Sequence, residues 1–228
     1  MRHIGAMLGW IGLWGGLQAQ CPSDDRVTYH DVEYAVIAIG GQCWFAENLS
    51  TTKYADGTRI NAVDNQQWAE LSATTPLTDV VMRKGVPMGA GHIYNAAAVL
   101  HPSRLCPSGW HVPTDSDWRV LEMALGLSPT QAQSTGFRGH HGAKLRGEDL
   151  KSEESAGSTS LNFNALLGGF RTGDGRDFNW GDSGFWWSQT PWHGGVELWI
   201  RSISNAHHGM YRSIRPESEG LSVRCLKD

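Results

Sequence analysis

Val196-Glu197-Leu198-Trp199-Ile200-Arg201-Ser202-Ile203 places apolar and polar side chains by turns, the period of a half-buried β-strand. Residues 210–214 and 221–226 repeat that character. Between the three lie Ser204-Asn205-Ala206-His207-His208-Gly209 and Arg215-Pro216-Glu217-Ser218-Glu219-Gly220, both rich in turn formers. The spacing predicts an antiparallel meander at the end of the chain. Upstream of it, Phe185-Trp186-Trp187-Ser188 reads as a further strand, with successive side chains pointing to opposite faces.

Against this sheet the sequence sets one clear helix. Thr114 is a good N-cap, Asp115 and Asp117 sit in the first turn, and Trp118, Leu121 and Leu125 follow at spacings of three and four. Gly126 is placed to end it. Packing this helix on the terminal sheet would bring Cys106 near Cys225. Nearer the start, residues 27–29 and 34–39 predict two strands joined by a turn at 30–33, and Gly40-Gly41 breaks the second before Gln42-Cys43-Trp44-Phe45-Ala46. Residues 51–91 read as polar and irregular, 92–100 as a short helix, and 128–142 and 148–162 as loops.

The chain of 228 residues is long enough for one sizeable core. Residues 1–20 read as a signal peptide: a short polar start, an apolar run over 4–17, and a small-residue cleavage region. No later apolar stretch is long enough to span a membrane. Residues 1–20 hold one arginine and no acid, so their removal shifts the formal charge from −4 to −5. That mildly acidic balance argues against nucleic acid or an anionic membrane as the main partner. Four cysteines in an exported chain point to disulfides, with three pairings formally open. Cys21–Cys43 with Cys106–Cys225 gives each half of the sequence its own staple. Cys21 next to the cleavage region also raises lipid anchoring, which would leave Cys43 over, and Gln20 fits that reading poorly. Zinc is not favoured, since no Cys-x-x-Cys or His-x-x-x-His spacing occurs.

Several long motifs carry a family resemblance: Ile39-Gly40-Gly41-Gln42-Cys43-Trp44-Phe45-Ala46-Glu47-Asn48-Leu49, Leu105-Cys106-Pro107-Ser108-Gly109-Trp110-His111-Val112-Pro113-Thr114, Phe163-Asn164-Ala165-Leu166-Leu167-Gly168-Gly169-Phe170-Arg171, and Leu221-Ser222-Val223-Arg224-Cys225-Leu226-Lys227-Asp228. In order and over nearly all of the chain after residue 20, they closely resemble the Fibrobacter succinogenes major paralogous domain. The resemblance implies an exported protein of Gram-negative bacteria such as Bacteroidetes, secreted, on the outer cell surface or in the periplasm, with no assigned molecular role. More distantly the chain looks like the C-type-lectin-like superfamily. The expected fold class is therefore α+β and C-type-lectin-like, with a β unit over 21–50, a lectin-like core over 92–228, and one domain over 21–228.

Candidate sites follow from residue chemistry. Asp174, Asp177, Asn179 and Asp182 share a glycine-rich loop whose oxygen ligands suit calcium, although the spacing is not an EF-hand and a solvated turn is the competing reading. No other cofactor is indicated. Trp186, Trp187, Trp192 and His193, with Asn205 and His207 in the next loop, offer flat rings and polar groups for a glycan or a surface protein; some of these tryptophans must be core. The pairs His140-His141 and His207-His208 read as exposed loop histidines, because adjacent residues on a strand face opposite ways and do not chelate one metal. The reading is a monomeric, non-catalytic binding domain acting through loops 174–193 and 204–209. An enzyme of surface glycan processing would instead need a carboxyl of raised pKa among Asp174, Asp177, Asp182 or Glu197, and nothing positions Glu148-Asp149 or Glu153-Glu154 as an acid pair. A structural or adhesive envelope component would show a large apolar patch.

Overall fold

The computed structural model describes residue 21 and residues 26–83, 86–87, 90–146 and 161–228. The expected signal peptide and both acid pairs of the 148–162 stretch lie outside the described residues. The chain opens on a hairpin of β1 (Arg26–Tyr29) and β2 (Val32–Ile39), turned at His30 and Asp31 with φ of 48° and 66°. Gly40 and Gly41 then lead into β3 (Gln42–Phe45). Gly40 has φ +56°, and a Cβ there would overlap that of Ala124, so glycine is what lets this hairpin close on the main helix.

The middle of the chain holds more structure than its composition suggests. It runs through β4 (Asn61–Ala62), α1 (Asn65–Leu71), β5 (Leu77–Asp79), β6 (Met82–Arg83), β7 (Val86–Pro87), β8 (Ile93–Tyr94) and α2 (Ala96–Val99). The irregular reading of 51–91 is corrected by α1, which starts on a capping box: Gln67 N donates to the Asp64 side chain and the Gln67 side chain accepts from Asp64 N. The helix expected over 92–100 shortens to four residues. Asn95 caps α2, while Ile93 and Tyr94 pair with β5 as a strand.

After β9 (Trp110–His111) come α3 (Asp115–Ala124), α4 (Pro129–Gln133), β10 (Gly136–Arg138) and α5 (His141–Arg146). Helix α3 begins and ends where expected, with the Thr114–Asp117 capping box at one end and Gly126 at φ +108° past the other. Then follow β11 (Gly168–Arg171), β12 (Asp177–Trp180), β13 (Ser183–Pro191), β14 (Glu197–Ser204), β15 (Met210–Pro216), β16 (Leu221–Ser222) and β17 (Leu226–Lys227).

Two sheets carry the fold, one in the order β1-β2-β3-β17-β9 and the other β10-β15-β14-β13-β16-β8-β5-β4, with β11 and β12 joined to the second at β13. The terminal meander exists, but its strands are β13, β14 and β15. The third expected strand, over 221–226, splits. β16 lies parallel to β13 and antiparallel to β8, and β17 enters the other sheet between β3 and β9. The free edge of β15 is taken by β10, and Gly220, just before β16, forms an isolated antiparallel bridge to Arg171 with backbone bonds of 2.9 and 2.8 Å. The α+β class with two disulfides stands: Cys21 bonds Cys43, and Cys106 bonds Cys225.

Between α3 and the sheet lies apolar packing of Trp44, Trp118, Leu121, Phe163, Trp186 and Met210, all fully buried. Beside it runs a buried ionic network. Asp115 accepts from Arg201 at 2.9 Å and from Arg212 at 2.9 Å twice, and Arg119 approaches it at 3.3 Å. Glu122 accepts from Arg138 at 2.7 Å and from Arg201 at 2.8 Å. Burial alone would raise the pKa of Asp115, but Arg212 and Arg201 more than reverse it and hold the carboxyl below its usual range. Four guanidiniums thus answer two carboxylates. Among the described residues no helix is long and apolar enough to cross a membrane.

Candidate functional site

Strand β13 lies inside the larger sheet, and both of its faces are covered. Trp186 and Trp187 do point to opposite faces, but both are 0% exposed, each in a different core cluster. Their indoles are satisfied internally: Trp186 Nε1 donates to Asn48 Oδ1 at 2.7 Å, and Trp187 Nε1 donates to the Tyr94 carbonyl at 2.7 Å. The reading of these two as ligand contacts is corrected, because alternation guarantees an exposed face only when one side of the sheet is open.

Trp192 and His193 sit in the β13–β14 turn and remain exposed, Trp192 at 37%, with Val196 beside them. Asn205 and His207 are exposed too, in the β14–β15 turn. These turns lie at opposite ends of β14, whose eight residues put them about 26 Å apart. Trp192 and His193 are therefore separate from the 204–209 loop, which meets the 174–193 stretch instead at Asp182, whose carbonyl accepts from Asn205 N at 3.0 Å.

The four oxygen-bearing residues of the acidic loop diverge as well. Asp177 takes the Arg171 guanidinium at 2.7 and 3.0 Å, and the other side of that guanidinium binds Asp79. Asp174 pairs with Arg176 at 2.6 Å and accepts from Thr172. The Arg176 hydrogen bond, then that of Thr172, lowers its pKa to about 2, opposite to what a general acid needs. Asp182 faces Asn205 at 3.4 Å, and Asn179 is an exposed residue of left-handed backbone. Among the described residues no group of three or more His, Cys, Asp or Glu side chains could hold a metal ion.

What the structure does assemble is an aromatic shelf that the sequence reading missed. Phe137 of β10 is 44% exposed and stacks on His207 with ring centroids 3.9 Å apart and planes 28° apart. Tyr211, its cross-strand neighbour, lies 4.9 Å from it. The shelf is held by backbone: Ala143 N donates to the His208 carbonyl at 3.1 Å, and Arg146 donates to the carbonyls of Ser204 and His207. Gly142 and Gly209 allow this approach, since a Cβ on either would run into the facing backbone. Both histidine pairs thus meet at one end of the sheet, where His207 is open and His141 is buried. The signal for β10 was weak because three residues are too few for a readable alternation.

A second feature near the carboxyl terminus is ionic. Both ring nitrogens of His111 face carboxylate oxygens that accept from it, Nε2 at 3.2 Å from Asp117 and Nδ1 at 2.6 Å from Asp228. The Asp117 hydrogen bond, opposed by burial and joined by Asp228, raises the His111 pKa. For Asp117, burial pushes its pKa up, but His111 and Thr114 bring it below the usual value. The His111 contribution is full below the unfolded value of about 6.5 and is lost as pH rises through the folded one. Asp117 contributes above about 3.9 and loses its contribution as pH falls. The stability difference between the protein and His111→Gln should therefore shrink as pH rises above about 6.5 in thermal melts, whatever the slope set by the other histidines; a difference independent of pH would contradict the assignment.

No curated protein and no solved structure gives a significant match to the chain. A family model does match, that of the Fibrobacter succinogenes major domain, over residues 37–227, from within β2 to the last residue of β17. The segments that carry the resemblance, from Ile39 to Asp228, fall inside that span except for the final Asp228, and the chain belongs to the Fibrobacter succinogenes major domain family.

Proposed function

We propose that the chain is a non-catalytic binding domain working outside the cytoplasm, in a C-type-lectin-like scaffold, that engages glycan through the Phe137–His207–Tyr211 shelf. The observation that carries this is the exposed stack itself. A phenylalanine left 44% open, with a histidine parallel to it and a tyrosine alongside, offers flat apolar surface with polar edges to a sugar ring. Asn205 in the same turn supplies an amide for the ring hydroxyls. Calcium is not needed by this shelf, so binding is expected to survive chelation. Two disulfides support an oxidising compartment, and with it export from the cell that makes the protein.

Phe137→Ala and His207→Ala are each expected to weaken glycan binding about tenfold or more while leaving the melting temperature within about 2 °C, because both rings are largely outside the core. Calorimetry and thermal melts check this, and undiminished binding in both variants would refute the shelf. A protein partner is the second reading, favoured by the hairpin tip. Trp192 and the 64% exposed Val196 project there on a turn ordered by Trp192 N to Glu197 O at 2.8 Å. If that reading holds, Trp192→Ala with His193→Ala abolishes binding and the shelf variants do not.

A further inference from the structure

Between the end of α3 and the start of α5 the surface opens into a cavity of about 230 Å³. Its walls include Leu125, Leu127, Gln131, His140, His141 and Lys144, and none of the lining side chains is acidic. His141 is only 2% exposed, and neither of its ring nitrogens has a hydrogen-bond partner. Buried polar side chains are ordinarily satisfied, so an imidazole with two idle nitrogens on a cavity wall needs a reason. Gly139, at φ +62°, packs against the ring, since a Cβ there would fall 2.8 Å from Nδ1, and both ring nitrogens are buried.

The surroundings are cationic. Burial first, then Arg138, Arg201, Lys144 and His140, lower the His141 pKa to about 3. The ring is neutral at physiological pH, with one N–H to donate and one nitrogen to accept. Arg138 and Arg201 belong to the network in which four guanidiniums answer two carboxylates, so positive charge is in excess behind the cavity, and Lys144 adds a further cation on its wall. The potential favours an anion, the imidazole N–H and Lys144 offer donors to its oxygens, and the free imidazole nitrogen can accept from a hydroxyl beside it.

We propose that this cavity is a second binding site, taking an oxyanion group (carboxylate, sulfate or phosphate) borne by a small solute or by an acidic sugar residue. It goes beyond the glycan shelf and does not depend on it. Phe137 and Arg138 turn to opposite faces of β10, and the cavity lies on the Arg138 side, where Arg138 binds Glu122 of α3.

The test is a titration of the protein with sodium sulfate, sodium phosphate, sodium glucuronate and, as neutral control, methyl glucoside, read by the imidazole nitrogen shifts of His141 and by thermal melts. Saturable shifts with one or more of the anions, none with methyl glucoside, and a raised melting temperature at saturation are expected. Response to sulfate or phosphate identifies the free ion as sufficient, and response to glucuronate alone identifies the acidic sugar. Lys144→Gln should lower the affinity at least tenfold. His141→Leu should abolish it without lowering the melting temperature of the ligand-free protein, because it removes buried polar atoms that make no hydrogen bond. Should His141→Leu fail to fold, Lys144→Gln with the nitrogen shifts decides. Phe137→Ala should leave the titration unchanged. Absence of saturable shifts with every anion, or full affinity in the Lys144 variant, would overturn the proposal.

Discussion

Glu122→Ala is expected to remove about 3 to 5 kcal/mol of stability, because it leaves Arg138 and Arg201 charged, buried and without their shared carboxylate. Glu122 is itself 0% exposed, so water cannot take over its role. For a chain of this length the loss corresponds to a fall of about 6 to 20 °C in melting temperature. Total stability is commonly about 5 to 15 kcal/mol, so the variant sits near unfolding. Glu122→Gln keeps acceptor and shape and should lose less. Urea unfolding of the three proteins checks the order, and a loss under about 1 kcal/mol for the alanine variant would show that the network is far better solvated than its burial implies.

The second large effect concerns the disulfides. Replacing Cys106 and Cys225 together by serine releases a loop of 119 residues, for which the chain-entropy model gives about 4 to 5 kcal/mol. The Cys21–Cys43 bridge closes only 22 residues and should contribute about 3 kcal/mol. The longer bridge also holds Cys225 where its carbonyl accepts from Phe45 N at 2.9 Å, tying the amino-terminal hairpin to the last strands. Denaturant unfolding of the two double-serine variants should show the larger loss for the Cys106–Cys225 pair. The reverse order would mean that local strain or unfolded-state structure outweighs loop length.

The parts of the fold that were legible in the sequence rest on local chemistry. The alternation at 196–203, the Thr114 cap with its acids, the Gly40-Gly41 turn and the pairing of the four cysteines each depend on residues close together or on simple economy of loops. What was not legible depends on which faces are covered. Arg201 and Arg212 occupy polar positions in an alternating pattern and so read as solvent-facing, yet both are buried under α3. A signal was present, since Asp115, Trp118 and Glu122 recur at three, four and seven and place two acids on the helix's apolar face. The same covering of both faces hid the burial of Trp186 and Trp187. The short helices α1 and α4 were announced by Asp64-x-x-Gln67 and by Ser128-Pro129-x-Gln131, capping boxes that a search for hydrophobic periodicity alone passes over.

The shelf was illegible for a different reason. His207 was visible as a loop residue, but its partner Phe137 is 70 positions away and joins it only because β10 takes the edge of β15. The split of 221–226 into β16 and β17 likewise depends on vacancies in two different sheets, which no window of the sequence contains.

The measurement that tests the central reading most directly is a glycan-array screen of the oxidised protein lacking residues 1–20, with calcium and again with chelator, beside the Phe137→Ala and His207→Ala variants. The account predicts binding that is indifferent to chelator and lost in both variants. Silence under both conditions, or binding that both variants retain, would contradict it.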